Sequence, residues 1–126
     1  MSPAHDVPLA ERLAAVDAGI ADAARAAGRD PRELTRIVVT KFQPAAFVRE
    51  LAELGVREVG ENRHQEARAK AEETAGLGLS WHFVGQLQSN KARAVRRYAS
   101  AIHSLDRESV IDALADPEAD AIDGFL

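Results

Sequence analysis

The chain contains no cysteine. That excludes a disulfide framework, a thiolate-ligated zinc site and thiol catalysis. Aromatic residues make up 5% of it, too few to interleave with basic side chains as a stacking platform for bases. No apolar run approaches the ~20 residues that a membrane-spanning helix requires, so no membrane role is expected. Positive charge is not in excess either. Lys and Arg number 16 against 20 Asp and Glu, for a net charge of −4, and no global basic field argues for nucleic acid as a partner. The four histidines include no two at helical metal-ligand spacing, so no metal site is expected. The N-terminus, Met1-Ser2-Pro3-Ala4-His5-Asp6, lacks the basic stretch and apolar core of a secretory signal. With the missing cysteine, this fits a cytoplasmic protein.

What is present is an ordinary globular composition, 46% apolar and 29% charged over 126 residues, enough for one domain of modest core. Leu9, Leu13, Val16 and Ile20 recur at helical spacing, continued by Ala23, Ala24 and Ala27. They predict a helix near 8–27 with one face buried, capped by Gly28 and stopped by Pro31. A strand is expected at 36–41. Phe47, Val48, Leu51 and Leu54 then line a helix closed by Gly55. A second strand runs from Val56 to Gly60, followed by an Ala-rich polar helix to about Thr74, in which Glu66 and Lys70 form an i,i+4 pair. A third strand spans Leu79 to Val84. Ser89 caps a helix over 90–99, and a fourth strand covers Ala101 to Leu105. Asp106 caps a last helix carrying Val110, Ile111 and Leu114. The acidic segment from Asp116 to Leu126 reads as a frayed tail, although Ile122, Phe125 and Leu126 are apolar enough to dock.

Strand and helix therefore alternate four times, at a pitch that argues for parallel strands and right-handed crossovers. The fold class is α/β, with parallel (βα) repeats and four strands, resembling half of a (β/α)8 TIM barrel. In such a fold the loops after the strands share one face, where sites are built. Lys41 ends the first strand, Gly60-Glu61-Asn62 the second, Gly85 to Lys91 the third, and His103-Ser104 with Asp106 the fourth. A lysine desolvated at such a position loses its proton near neutral pH and attacks a carbonyl. A strand-end lysine is ordinarily just a solvated charge, and Lys41 alone leaves both readings open. His82 alternates with Trp81 and Phe83, facing either the interior or the helices, and a hydrogen-bonded core histidine is the ordinary case. Lys91, Arg93, Arg96 and Arg97 form a basic cluster, for which a solvated helix face is the default.

Taken in order, Val38-Val39-Thr40-Lys41-Phe42-Gln43-Pro44, Gly60-Glu61-Asn62-Arg63-His64-Gln65-Glu66, Trp81-His82-Phe83-Val84-Gly85-Gln86-Leu87-Gln88-Ser89-Asn90-Lys91 and His103-Ser104-Leu105-Asp106 are far more distinctive than any one of them. Over residues 8–115 the chain resembles the pyridoxal phosphate homeostasis protein family, whose fold is similar to the N-terminal barrel of alanine racemase. The resemblance implies pyridoxal 5′-phosphate as cofactor, held as a Schiff base on Lys41. It places Asn62 at a cofactor-contacting position and His82 and Ser104 along the pocket. It implies a role in carrying and buffering the cofactor rather than robust turnover.

Members of that family close a full barrel of well over 200 residues. The resemblance thus makes residues 1–126 one domain, the N-terminal half of such a barrel, with the family's phosphate-binding loops in the other half. Four strands would leave two sheet edges, so self-association is expected. A truncated fragment that binds no cofactor is one alternative. A racemase-like enzyme is the other. It needs a second acid/base group opposite Lys41, and Tyr98, expected on an outer helix, is a poor candidate.

Overall fold

A computed structural model describes residues 7–103, 105, 107–115 and 122–125. They form two compact units, divided after Arg36. The first holds helix α1, Leu9–Ala26, and a 3-10 turn at Pro31–Glu33 started by Asp30, whose side chain accepts from the Arg32 amide at 2.9 Å. The end of α1 is a Schellman motif. Gly28 takes φ 72°, its amide donates to Arg25 O at 3.0 Å, and the Arg29 amide donates to Ala24 O at 2.8 Å. A side chain at Gly28 would strain that left-handed turn. The apolar stripe buries less than its periodicity implies: Ala24 is buried, but Val16 is 54% exposed. Periodicity defines a face and says nothing of what covers it.

The second unit is a sheet with helices. Its strands are β1, Val38–Val39; β2, Glu58–Glu61; β3, Ser80–Phe83; β4, Ala99–Ile102; and β5, Asp123–Gly124. They run in the order β1-β2-β3-β4-β5, and every pairing is parallel. Strictly sequential parallel order is that of a (β/α) barrel; a doubly wound sheet reverses its order partway. The helices between are α2, Ala45–Glu53; α3, His64–Glu73; α4, Ala92–Arg96; and α5, Glu108–Leu114.

The fifth strand corrects the expectation of four. Asp123–Gly124 pairs with Ala101 and Ile102, and the bonds Phe125 N to Ile102 O, 2.8 Å, and Leu105 N to Phe125 O, 2.7 Å, extend the ladder. Asp and Gly are poor strand formers, so propensity hid it; a partner strand supplied what the local sequence lacked. Asp106, Ser104 and residues 116–121 and 126 lie outside the described residues. Strand four begins two residues earlier than expected, because α4 stops at Arg96 after a 3-10 turn at Ser89–Lys91.

Alternation sorts the side chains of β3. Trp81 and Phe83 are buried, 5% and 3% exposed, and Phe83 packs with Leu87, Ala92, Val95, Ala99, Ile102, Val110 and Leu114. That is the helix side. His82 falls on the other face, paired in register with Gly60 and Ala101. On α2, Ala45, Val48, Leu51 and Ala52 are buried, the i, i+3, i+4 pattern of a helix laid on a sheet. Its end is a second Schellman motif at Gly55, φ 92°, with Val56 N to Leu51 O at 3.0 Å and Gly55 N to Ala52 O at 3.1 Å.

Candidate functional site

The first two strand ends are tied together from below by a buried polar cluster. Thr40 and Glu61 are fully buried and Lys70 nearly so. Thr40 Oγ1 donates to Glu61 Oε1 at 2.7 Å. Lys70 Nζ donates to Thr40 O at 2.8 Å and pairs with Glu61 Oε1. The expected Glu66–Lys70 pair is therefore replaced. Glu66 reaches Arg63 at 3.6 Å instead, because Lys70 lies on the buried side of α3, where an unpaired Glu61 carboxylate would be far more costly. The second Glu61 oxygen has no protein partner.

Directly after this anchor the chain turns. Gln43 N donates to Thr40 O at 3.0 Å, and Phe42 takes φ 65°, the left-handed position of a type II turn that normally belongs to glycine. Phe42 is 70% exposed. Its ring lies 6.0 Å from Lys41 Nζ and 5.6 Å from Arg63 Cζ. A non-glycine residue held there stores backbone strain of roughly 1–3 kcal/mol, a feature that gathers at functional sites.

Lys41 occupies the turn and is exposed. The expected desolvation of its amine is not found: a two-residue strand ends short of it, and the buried lysine here is Lys70. Continued past the strand ends, the ladder register puts Lys41 level with Asn62, Val84 and His103. His82 lies within β3, one rank below. Lys41 and Asn62 thus follow the ends of adjacent strands; Ser104 lies outside the described residues. Asn62 Oδ1 is buried without a protein partner, and a Cβ on Gly85 would come within 2.5 Å of the Asn62 carbonyl oxygen. Gly85 is what lets the third loop close on the second.

His82 bridges Glu58, 2.6 Å from Nε2, and His103, 3.1 Å from Nδ1. Sequence reasoning places His103 at a strand end and passes over Glu58; only the register of three strands joins them to His82. Tyr98 lies beyond the end of α4 and packs against the helix-side core. Its hydroxyl is 3.1 Å from His64 Nδ1, and burial, then the Glu61 charge, pushes its pKa up. Tyr98 therefore lies on the helix side of the sheet.

A cleft of about 550 Å³ opens between the second and third loops, lined by Asn62, Arg63, His64, Gln86, Lys91 and Arg107 among others. Its volume is that of a small-molecule site. Burial, then the charges of Arg68 and Lys91, hold His64 below the usual histidine range. Of the expected site residues, only Asn62 lines it. Lys41 does not line this cleft, whose wall offers the unengaged acceptor of the Asn62 amide and the cations of Arg63, Lys91 and Arg107. Among the described residues no helix is long and apolar enough to cross a membrane.

No family model matches the chain. It is 45% identical over 108 residues to a protein of Pseudomonas aeruginosa named pyridoxal phosphate homeostasis protein, covering 86% of this chain and 47% of that one. Proteins of the same name from Mycobacterium tuberculosis, 41% identical over 122 residues, and Escherichia coli, 40% over 111, match similarly. The chain spans about half the length of these curated relatives, 47% in each case. Among solved structures it is similar to PipY of Synechococcus elongatus with PLP bound, at TM-score 0.71 and 40% identity, covering 85% of this chain and 46% of PipY. PipY without PLP gives TM-score 0.70 and 33% identity, covering 94% of this chain and 59% of that one.

Proposed function

We propose that this chain, a relative of the pyridoxal phosphate homeostasis proteins, binds pyridoxal 5′-phosphate through Lys41 and serves to hold and buffer that cofactor. The observation that carries the reading is the placement of an amine, Lys41, at the rank of Asn62, whose buried amide oxygen has no protein partner. When bound, the cofactor supplies an electrophilic aldehyde carbon and an electron-withdrawing ring. The chain's own residues supply the rest. Lys41 provides the nucleophilic nitrogen. Asn62 offers an acceptor to a donor on the ligand. His82 and Ser104 complete the pocket in this reading. The Thr40–Glu61–Lys70 cluster fixes the two strand ends, so that the amine is aimed without depending on its own burial.

Residues 1–126 then act as one half of a barrel, and their open sheet edges favour self-association. The absence of cysteine supports a cytoplasmic setting. A carrier is favoured over a racemase by the position of Tyr98.

Incubation with pyridoxal phosphate, borohydride reduction and peptide mapping test the proposal. Label is expected on Lys41, and Lys41→Ala should abolish it with an unchanged far-UV spectrum. Label spread equally over Lys70 and Lys91 would remove the assignment.

A further inference from the structure

The cleft between the second and third loops gathers positive charge from three separate segments. Arg63 stands at the start of α3, Lys91 closes the 3-10 turn before α4, and Arg107 precedes α5. The chain as a whole carries −4. A concave wall of cations runs against that overall field, and such a cleft concentrates anions locally.

Each cation is held in its own way. Arg107 donates from Nη2 to Leu87 O, which sets its guanidinium against the third loop; the five N–H donors of a guanidinium exceed what one carbonyl takes. Arg63 stands at the rim, 3.6 Å from Glu66 Oε1 and 5.6 Å from the Phe42 ring. Glu66 is the one carboxylate among the described residues that line the cleft. Lys91 is exposed and, among the described residues, enters no ion pair. Its charge reaches His64 in the same wall, where it adds to burial and Arg68 in holding that ring below the usual histidine range.

The shape narrows the ligand. A volume of about 550 Å³ is that of a small organic molecule rather than a bare ion. Phe83 and Leu87, each 3% exposed, give the cleft an apolar base. A carboxylate offers two oxygens in one plane. A phosphate monoester offers three terminal oxygens around a tetrahedron and nearly two negative charges at neutral pH. Cations arriving from three segments suit the tetrahedral group, with Lys91 as a compact point charge and the two arginines as planar forks.

We infer that this cleft binds a small phosphate monoester, its phosphate held by Lys91 and Arg107 with Arg63 at the rim, and its organic part over Phe83 and Leu87. Lys41 does not line the cleft, so the site is separate from that amine and does not depend on the proposed function.

Titration of the ¹⁵N-labelled chain with glycerol phosphate, in low-salt buffer without other phosphate, tests it by NMR. Saturable shifts are expected at the amides of Gln86, Leu87, Gln88 and Lys91. The His64 pKa should rise, because a bound dianion offsets the cations that depress it. Lys91→Ala should weaken binding by roughly tenfold or more, and Lys91→Gln repeats the test if the alanine variant unfolds. Arg93→Ala removes an equal charge from an exposed position outside the cleft and should change binding little. Acetate and inorganic phosphate should both bind more weakly than glycerol phosphate. No saturation, or shifts confined to the turn at residues 40–43, would overturn the site. Equal losses in Lys91→Ala and Arg93→Ala would reduce it to general attraction and overturn it too. Acetate binding as tightly as the ester would overturn the phosphate, and inorganic phosphate doing so would overturn the organic part.

Discussion

Lys70 and Lys41 divide two roles, and sequence reasoning singles out only Lys41. Lys70 sits on a mostly polar helix yet is buried against Glu61, whereas Lys41, the residue with the chemical interest, is exposed. Removing Lys70 strands a fully buried carboxylate. Lys70→Met is therefore expected to cost about 3–5 kcal/mol, and the double variant Glu61→Gln/Lys70→Met markedly less, because no charge is then left uncompensated. Urea unfolding of both variants checks the ordering. His64 gives a pH signature. Its folded pKa is depressed, so between that value and about 6.5 the unfolded chain binds more protons than the folded one. Its contribution to stability is present above that range and is lost as pH falls through it. The unfolding midpoint should drop on acidification, less steeply in His64→Gln. Carboxylate titration lower down acts in both proteins and cancels in the comparison.

Helix ends and strand pairs set the next scale. Gly55 at φ 92° holds both bonds of its Schellman motif, so Gly55→Ala should destabilise by about 1 kcal/mol. Ile102, fully buried on β4 between α4 and α5, is a different case. Ile102→Ala should cost about 2–5 kcal/mol by lost transfer energy plus the cavity left behind. The weakest element by propensity is β5, and two backbone bonds extend its ladder to β4. Hydrogen exchange measures it directly. The Phe125 amide, bonded to Ile102 O, should be protected relative to an exposed amide, and exchange at the free rate would show that β5 does not dock in solution.

For the whole chain, the second unit is a parallel sheet of five strands whose end strands β1 and β5 each pair with one neighbour among the described residues. Val39 on β1 is 47% exposed and Phe125 next to β5 is 49% exposed. Unpaired edges carrying apolar side chains recruit further chain. Sedimentation of the 126-residue protein should show concentration-dependent association, and a monomer at all concentrations would show that these edges are already protected.

Local chemistry determined much of this by itself. The positions of Gly28 and Gly55 followed from helical stripes that stop, since only glycine accepts the left-handed cap without strain. The alternation of strand and helix followed from period-2 and period-3.6 patterns, and with it the rule that Lys41 and Asn62 end adjacent strands. Tertiary structure decided what depends on register. Which way His82 faces is a matter of parity, and a shift of one residue would have exchanged it with Phe83. The Glu61–Lys70 pair joins the end of a strand to the buried side of the next helix, and the i,i+4 rule that selected Glu66 cannot see across that packing. β5 exists because β4 offers it a ladder, not because Asp123 and Gly124 favour extension. Glu58, His82 and His103 are 24 and 21 residues apart, and only the parallel pairing of three strands brings a carboxylate and two imidazoles into line.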